Sequence, residues 1–444
     1  MGGSFGGPPS HIVVMNRRPA SSSEFPILSR LVGRILLVDA DAFFVAVARA
    51  VDPAGAGAAP LLIVGGRPGS RGVVCSASYE TRAFGVRSGM PIAQALRLCP
   101  AATCVPVPRT ACADTSRAIR GVLDGFSPLV EAASIDEWYL DLSGTEALYH
   151  HEPIEATARR ARDAVFAETG MRVSIGVGPN KLVAKLAAER AKPKPGTGAT
   201  GVHVVTEADV GAFMATLALG DIPGIGPKLQ EKLSGVGLVT VRDALDAAPA
   251  DLARWLGRET AYRVLRKARG ESDAAVEPRS PAKQVSREET FDRDIADPAA
   301  LRRELRALAH RVAADLRGDG LEARTITVKV RDHRWTTRTM SRTLDAPIAS
   351  DAAIAATSLA LLDELRATWT EAVRLAGVAL SNFAPARDAE QLTMFGSAGA
   401  VESPRDRALS RAVDQVRERF GDTSIQSGGA RAAPLGEKGA RKPR

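Results

Sequence analysis

Polar and apolar positions change period several times along the chain, and each change predicts a different element. Ile35, Leu36, Leu37 and Val38 form an apolar run without polar alternation, which predicts a strand covered on both faces at the centre of a sheet. Between residues 51 and 108 short apolar pieces are broken by PAGAGAAP and GGRPGSRG, the pattern of a small inserted domain. A helix is predicted over 110–126, a β-rich pair over 129–142, a helix over 153–169 and a strand over 173–177. A helix opens after Asn180 and is interrupted at Pro193, Lys194, Pro195 and Gly196; a short strand follows at 201–205. Residues 208–270 read as helical throughout, and 271–283, with Pro278 and Pro281, as a tether. In 284–383 strands mix with helices near 299–316 and 351–368. Here Ile326, Val328 and Val330 alternate with Thr325, Thr327, Lys329 and Arg331, so one face builds a core and the other is open. After Pro385 the chain turns polar and Gly-rich, apart from one helix near 405–420. The fold class expected is α+β with several domains.

Composition narrows the function. A chain of 444 residues has room for two to four domains, and its net charge of +8 with pI near 9.5 favours a polyanionic partner. No apolar stretch reaches transmembrane length, and the Gly-, Pro- and Ser-rich residues 1–30 are expected to form an unstructured extension. Cys75, Cys99, Cys104 and Cys112 lack paired spacing, as small buried hydrophobes in a reducing compartment would.

The chemistry concentrates in a few stretches. Asp39 leaves the apolar run at its carboxyl edge and either caps the next helix or binds a cation, since a desolvated carboxylate needs a partner. Asp136 and Glu137, in SIDE, are adjacent, and neighbours in a regular strand face opposite ways, so only a turn or irregular strand end lets both serve one ion. Read alone, they would be a solvated acidic turn. IPGIGPKLQEKL, residues 222–233, reads as a helix-hairpin-helix: Gly224 and Gly226 expose backbone N–H groups at a helix N-terminus beside Lys228, a site for a DNA phosphate.

VDADAFF followed by SIDE resembles the catalytic motifs of Y-family DNA polymerases of the DNA polymerase IV type, and the resemblance extends over residues 33–395. It implies a right-hand polymerase: palm at 31–50 and 109–205, fingers at 51–108, helical thumb at 206–272, linker at 273–283, α+β little finger at 284–386, and a flexible tail at 387–444. By that resemblance Asp39, Asp136 and Glu137, with the Ala40 carbonyl, hold two Mg²⁺ ions for nucleotidyl transfer, and Asp41 is a supporting carboxylate. Phe44 is the steric gate against a ribose 2′-hydroxyl, with Phe43 packing beside it. Ser76, Tyr79 and Arg82 bind the triphosphate, as does Lys192; Lys181 and Lys185 serve either the site or a solvated helix face. Lys329, Arg331, Arg334, Arg338 and Arg342 are expected to form one basic, hydroxyl-rich DNA-binding surface. Gln391, Leu392, Met394 and Phe395 resemble the peptide that docks bacterial polymerases on the sliding clamp.

The expected function is template-directed DNA synthesis past damaged bases, on primer-template DNA with deoxynucleoside triphosphates, by a monomer in the nucleoid-containing cytoplasm. Trp138 departs from the small residue that many relatives carry after the Asp-Glu pair, so its indole is expected to alter packing under the metals. The alternative is a non-catalytic DNA-binding accessory scaffold of the same fold. Such scaffolds lack the acidic ligands, and all three are present here.

Overall fold

The computed structural model describes residues 33–193, 198–278, 282–385, 402–421 and 424–425. Its strands are β1 Ile35–Ala40, β2 Leu62–Gly65, β3 Val74–Ala77, β4 Thr103–Val105, β5 Val130–Ala132, β6 Glu137–Asp141, β7 Val173–Gly178, β8 Val202–Val204, β9 Gln284–Ile295, β10 Leu321–Asp332, β11 Thr337–Ile348 and β12 Val373–Pro385. The chain divides into two compact units, Met1–Asp41 with Ala118–Val276 and Ala42–Arg117 with Glu277–Arg444.

The first unit is built on a sheet of order β5-β6-β1-β7-β8. β1 lies at its centre, antiparallel to β6 and β7, and every residue of β1 is buried, as the unbroken apolar run requires. The helix Lys181–Ala191 packs closely on β7, and glycine makes that approach possible. A Cβ at Gly176 would lie 2.0 Å from the Ala188 nitrogen and 2.1 Å from the Ala184 oxygen. Asn180 caps this helix by accepting from the Val183 N–H at 3.0 Å, and its side-chain amide donates to the Gly270 carbonyl at 2.8 Å. Helices Val210–Met214, Pro227–Ser234, Val241–Asp246, Pro249–Leu256 and Arg258–Ala268 bury a shared core that includes Leu182 and Leu186.

The second unit contains the sheet β3-β2-β4, with the helices Phe43–Val51 and Ile92–Leu98, and an antiparallel sheet of order β11-β10-β12-β9. Alternation decides the faces of the larger sheet. Ile326, Val328 and Val330 turn into a core shared with helices Pro298–Gly318 and Asp351–Ala367, leaving the opposite face uncovered by any helix of that core. The helix Pro404–Phe420 joins this core through polar groups. Arg317 donates to Asp414 at 2.6 and 2.8 Å, to Asp351 at 2.8 Å and to the Ala349 carbonyl at 2.7 Å. Arg407 reaches the almost fully buried Glu322 at 2.5 Å and pairs with Glu402. Among the described residues no helix is long and apolar enough to cross a membrane.

Removing one partner from such a network strands the others, so Arg317→Met is expected to lower the unfolding free energy by about 3 kcal/mol in urea denaturation. An unchanged midpoint and slope would show that the helix is not held by these pairs.

Candidate functional site

Sheet register brings the acidic motifs together. Asp39, next to last in β1, is the cross-strand partner of Glu137 on one side and of Ser174 on the other, so the three side chains share one face of the sheet. The SIDE turn closes by hydrogen bonds from the Ala133 and Ser134 N–H groups to the Glu137 carbonyl, at 2.9 and 3.3 Å. The Ala40 N–H donates to the Asp136 carbonyl at 2.9 Å, joining this turn to the end of β1. The acidic pair thus sits at an irregular strand end, as its chemistry requires. Trp138 alternates to the other face, where it pairs with Val38 and is buried. The sheet therefore lies between its indole and the carboxylates.

Each carboxylate already has a partner. Asp39 is 6 % exposed, and Lys192 Nζ lies 2.9 Å from its Oδ2 and 2.6 Å from Glu189 Oε1. The Asp39 pKa stands at about 7: burial raises it most, Lys192 offsets part of that rise, and Glu137 and Glu189 add to it. Burial alone would lower the Lys192 ammonium, but Asp39 and Glu189 outweigh it and hold it above the ordinary lysine value. Lys185 Nζ is 2.7 Å from both oxygens of Glu137, and Lys181 Nζ is 2.6 and 2.7 Å from those of Glu131. Neither lysine lies on a solvated face. Asp136 accepts from the Ser134 hydroxyl. Asp41 accepts from the Ser174 hydroxyl at 2.8 Å, and burial raises its pKa, so its role is to tie the end of β1 to β7.

Three carboxylates and a main-chain carbonyl are hard oxygen donors suited to a divalent cation, and the repulsion among Asp39, Glu137 and Glu189 is the charge that such a cation relieves. Among the described residues no three His, Cys, Asp or Glu groups converge as a ready-made metal cage. The lysines stand where charge must be balanced.

The nucleotide-binding candidates belong to the second unit. Ala42 has left-handed backbone, φ +47°, and caps the helix that begins at Phe43. Phe43 is buried and Phe44 half-buried, their ring centroids 5.7 Å apart and edge-on. Phe44 packs along a small core of Val45, Ala48, Ala56, Leu62 and Val64. Ser76 is buried in β3. Tyr79 and Arg82 share a helical turn as their spacing predicts. The guanidinium carbon lies 5.0 Å from the Tyr79 ring centroid, and Arg82 Nε donates to the Ala77 carbonyl at 2.9 Å.

The hairpin at 222–226 has the expected form. Gly224 has φ +89°, Gly226 begins the helix Pro227–Ser234 without a side-chain cap, and Gly226 and Lys228 are exposed over buried Ile222, Ile225 and Leu233. Lys267 Nζ donates to the Pro223 carbonyl at 2.5 Å, a support the sequence pattern did not reveal.

The basic surface, in contrast, divides. Thr325, Thr327, Lys329 and Arg331 pair with Thr343, Ser341, Thr339 and Thr337 on the open face of β10 and β11. Arg338 and Arg342 pair with the buried Val330 and Ile326, so they lie on the helix-covered face, Arg338 over the Trp369 ring at 5.9 Å and Arg342 bonded to Glu364. A single basic surface containing all five is corrected to an open face carrying Lys329 and Arg331. Lys329 pairs with Glu288 at 2.5 Å, and Arg331 Nε donates to Thr337 Oγ1 at 2.7 Å. The peptide at 391–395 lies outside the described residues.

With these sites in view, comparison with known proteins is direct. The pattern of the impB/mucB/samB family matches residues 38–189, that of its C-terminal domain residues 282–394, and the IMS family HHH motif residues 207–238. Among solved structures, a Y-family DNA polymerase chimera of Dbh and Dpo4 superposes with a TM-score of 0.69 at 27 % identity, covering 79 % of this chain and 98 % of its own. DinB from Sulfolobus solfataricus gives 0.54 at 27 %, covering 80 % of this chain and all of its own. The chain therefore belongs to the Y-family DNA polymerases. Within them it falls in the DNA polymerase IV group. The DNA polymerase IV of Dehalococcoides mccartyi strain CBDB1 is 35 % identical over 89 % of this chain and 97 % of that protein, and the one from Methanoculleus marisnigri is 40 % identical over 78 % and 93 %.

The folded-state pKa of Asp39 stands above its ordinary value, so its contribution to stability is complete below pH 4 and is lost as the pH rises through about 7. In metal-free protein, wild type is expected to lose about 2 kcal/mol relative to Asp39→Asn between pH 5 and 8 in urea unfolding. Parallel pH curves for the two proteins would contradict the burial of this charge.

Proposed function

We propose that this chain is a template-directed DNA polymerase that extends a primer 3′ end with deoxynucleotides and works across damaged template bases. The observation that carries this reading is the cross-strand row of Glu137, Asp39 and Ser174 at the end of a buried sheet, in a chain related over nearly its whole length to DNA polymerases. Primer-template DNA and deoxynucleoside triphosphates are its substrates. Catalysis uses a divalent metal, and we assign two Mg²⁺ ions to Asp39, Asp136, Glu137 and the Ala40 carbonyl. When bound, such ions supply positive charge that favours ionisation of the 3′-hydroxyl and neutralises the triphosphate and departing pyrophosphate.

The protein's own part follows from its side chains. In the reaction the primer 3′-oxygen forms a bond to the α-phosphorus, the bond to the pyrophosphate oxygen breaks, and the hydroxyl proton leaves to solvent. Lys192 is released from Asp39 to meet the triphosphate as a point charge, and Lys185, paired with Glu137, holds that carboxylate in place. Tyr79 braces Arg82, whose guanidinium binds phosphate oxygens, and Ser76 adds a hydroxyl. Phe44 presents a ring beneath the sugar that a 2′-hydroxyl would strike, with Phe43 fixing its place. The hairpin at Gly224 and Gly226, with Lys228, and the open face bearing Lys329 and Arg331 hold the duplex backbone without reading its sequence. Arg338 and Arg342 act from the other face, where they support that sheet.

In this scheme residues 31–50 and 109–205 are the palm, 51–108 the fingers, 206–272 the thumb and 284–386 the little finger. Residues 273–283 link the last two, and the expected tail at 387–444 is limited by the helix Pro404–Phe420, which is held to the little finger, so that the clamp peptide of Gln391, Leu392, Met394 and Phe395 precedes that helix. The chain works as a monomer at DNA in the cytoplasm. The scaffold alternative is disfavoured because all three acidic residues are kept and gathered at one sheet end.

Asp136→Ala is expected to abolish primer extension with Mg²⁺ and all four deoxynucleotides while leaving the melting temperature unchanged; extension at the wild-type rate would refute the metal assignment. Phe44→Ala is expected to raise ribonucleotide incorporation, read as the ratio of kcat/KM for the two sugars. An unchanged ratio would remove Phe44 as the gate.

A further inference from the structure

The turn between β10 and β11 is closed by hydrogen bonds within itself. Asp332 is 3 % exposed and clamps it: the Asp332 N–H donates to the Thr336 carbonyl at 3.1 Å, and Asp332 Oδ1 accepts from the Thr336 N–H at 2.9 Å. The Trp335 N–H donates to the Asp332 carbonyl at 3.2 Å. On this frame stands Trp335, 63 % exposed and with φ +64°, left-handed backbone that a bulky residue adopts only under strain. Neither packing nor turn formation explains it. Its side chain is mostly outside the core, and glycine or asparagine would make the same turn at lower cost.

What surrounds the ring is cationic. The Arg374 guanidinium carbon lies 4.5 Å from the indole centroid and that of Arg331 lies 5.6 Å away, while His333 and Arg334 are exposed in the same turn. The turn's carboxylate, Asp332, is buried and committed to the backbone. An exposed indole held in a strained conformation among guanidinium groups combines a π-face for stacking with charges for phosphate.

We propose that Trp335 is a stacking platform for an unpaired nucleobase, with Arg374 engaging the adjoining phosphate, so that the β10–β11 turn binds single-stranded DNA. The proposal rests on the polymerase reading and deepens it, adding a contact to bases that no longer pair. A protein partner is the competing occupant of an aromatic and arginine cluster, but the all-cationic rim and the hydroxyl-rich open face next to it favour nucleic acid.

The left-handed backbone supplies an unusually clean test. Trp335→Gly relieves the strain, so it is expected to melt no earlier than wild type while binding a single-stranded oligothymidylate at least about tenfold more weakly. Its affinity for a blunt duplex should stay within about twofold of wild type, and Trp335→Phe should retain most of the single-strand affinity. The proposal is overturned if Trp335→Gly binds the single strand as tightly as wild type, which would point to a protein partner, or loses single-strand and duplex affinity alike. A wild-type protein that neither binds DNA nor extends a primer would instead remove the polymerase reading beneath it.

Discussion

A carboxylate at the end of a fully buried central strand cannot stand without compensation, and much of the first unit is arranged around that fact. Asp39 is held out of water by the sheet that positions it, which is why its proton is retained up to about pH 7. The helix Lys181–Ala191 and the residue after it answer with a row of ammonium groups. Lys181 meets Glu131, Lys185 meets Glu137 and Lys192 meets Asp39. Gly176 lets that helix sit close enough to the sheet for the lysines to reach across. These groups are thus paired in the absence of any ligand.

Much of this was legible in the residues. The unbroken run before Asp39 specified a central strand, SIDE required an irregular turn, and Gly224 and Gly226 marked a tight turn before a helix. What could not be read was set by register and tertiary contact. Arg338 and Arg342 seemed to continue a basic strand face, but Arg331 pairs with Thr337, and that parity sends both arginines to the helix side. The partners of Lys181 and Lys185 were hidden for a similar reason. Their spacing of one helical turn showed that they share a face, and nothing local says which strand that face meets. Asp41 received its role only when Ser174 was found beside it.

The second unit uses its larger sheet differently on its two faces. One is sealed by two helices and braced at its margin by the helix Pro404–Phe420 through Arg317 and Arg407. The other is small-residued and hydroxyl-rich, with Thr325 and Thr343 bonded at 2.9 Å and Thr327 and Ser341 at 2.8 Å, a surface that suits a phosphate backbone better than a protein core. Trp335 stands where that open face ends, and its strained backbone is a property that no pattern of hydrophobicity could disclose.

Asp39 is a buried carboxylate whose pKa stands raised at about 7, and in the function proposed above it gives up its proton to bind a divalent cation. Calorimetric titration of Mg²⁺ at pH 7 in buffers of different ionisation enthalpy measures that proton. Wild type should release a fraction of a proton per chain through Asp39, and Asp39→Asn should lose that release. Heat that does not depend on the buffer, or an equal release by Asp39→Asn, would contradict the account.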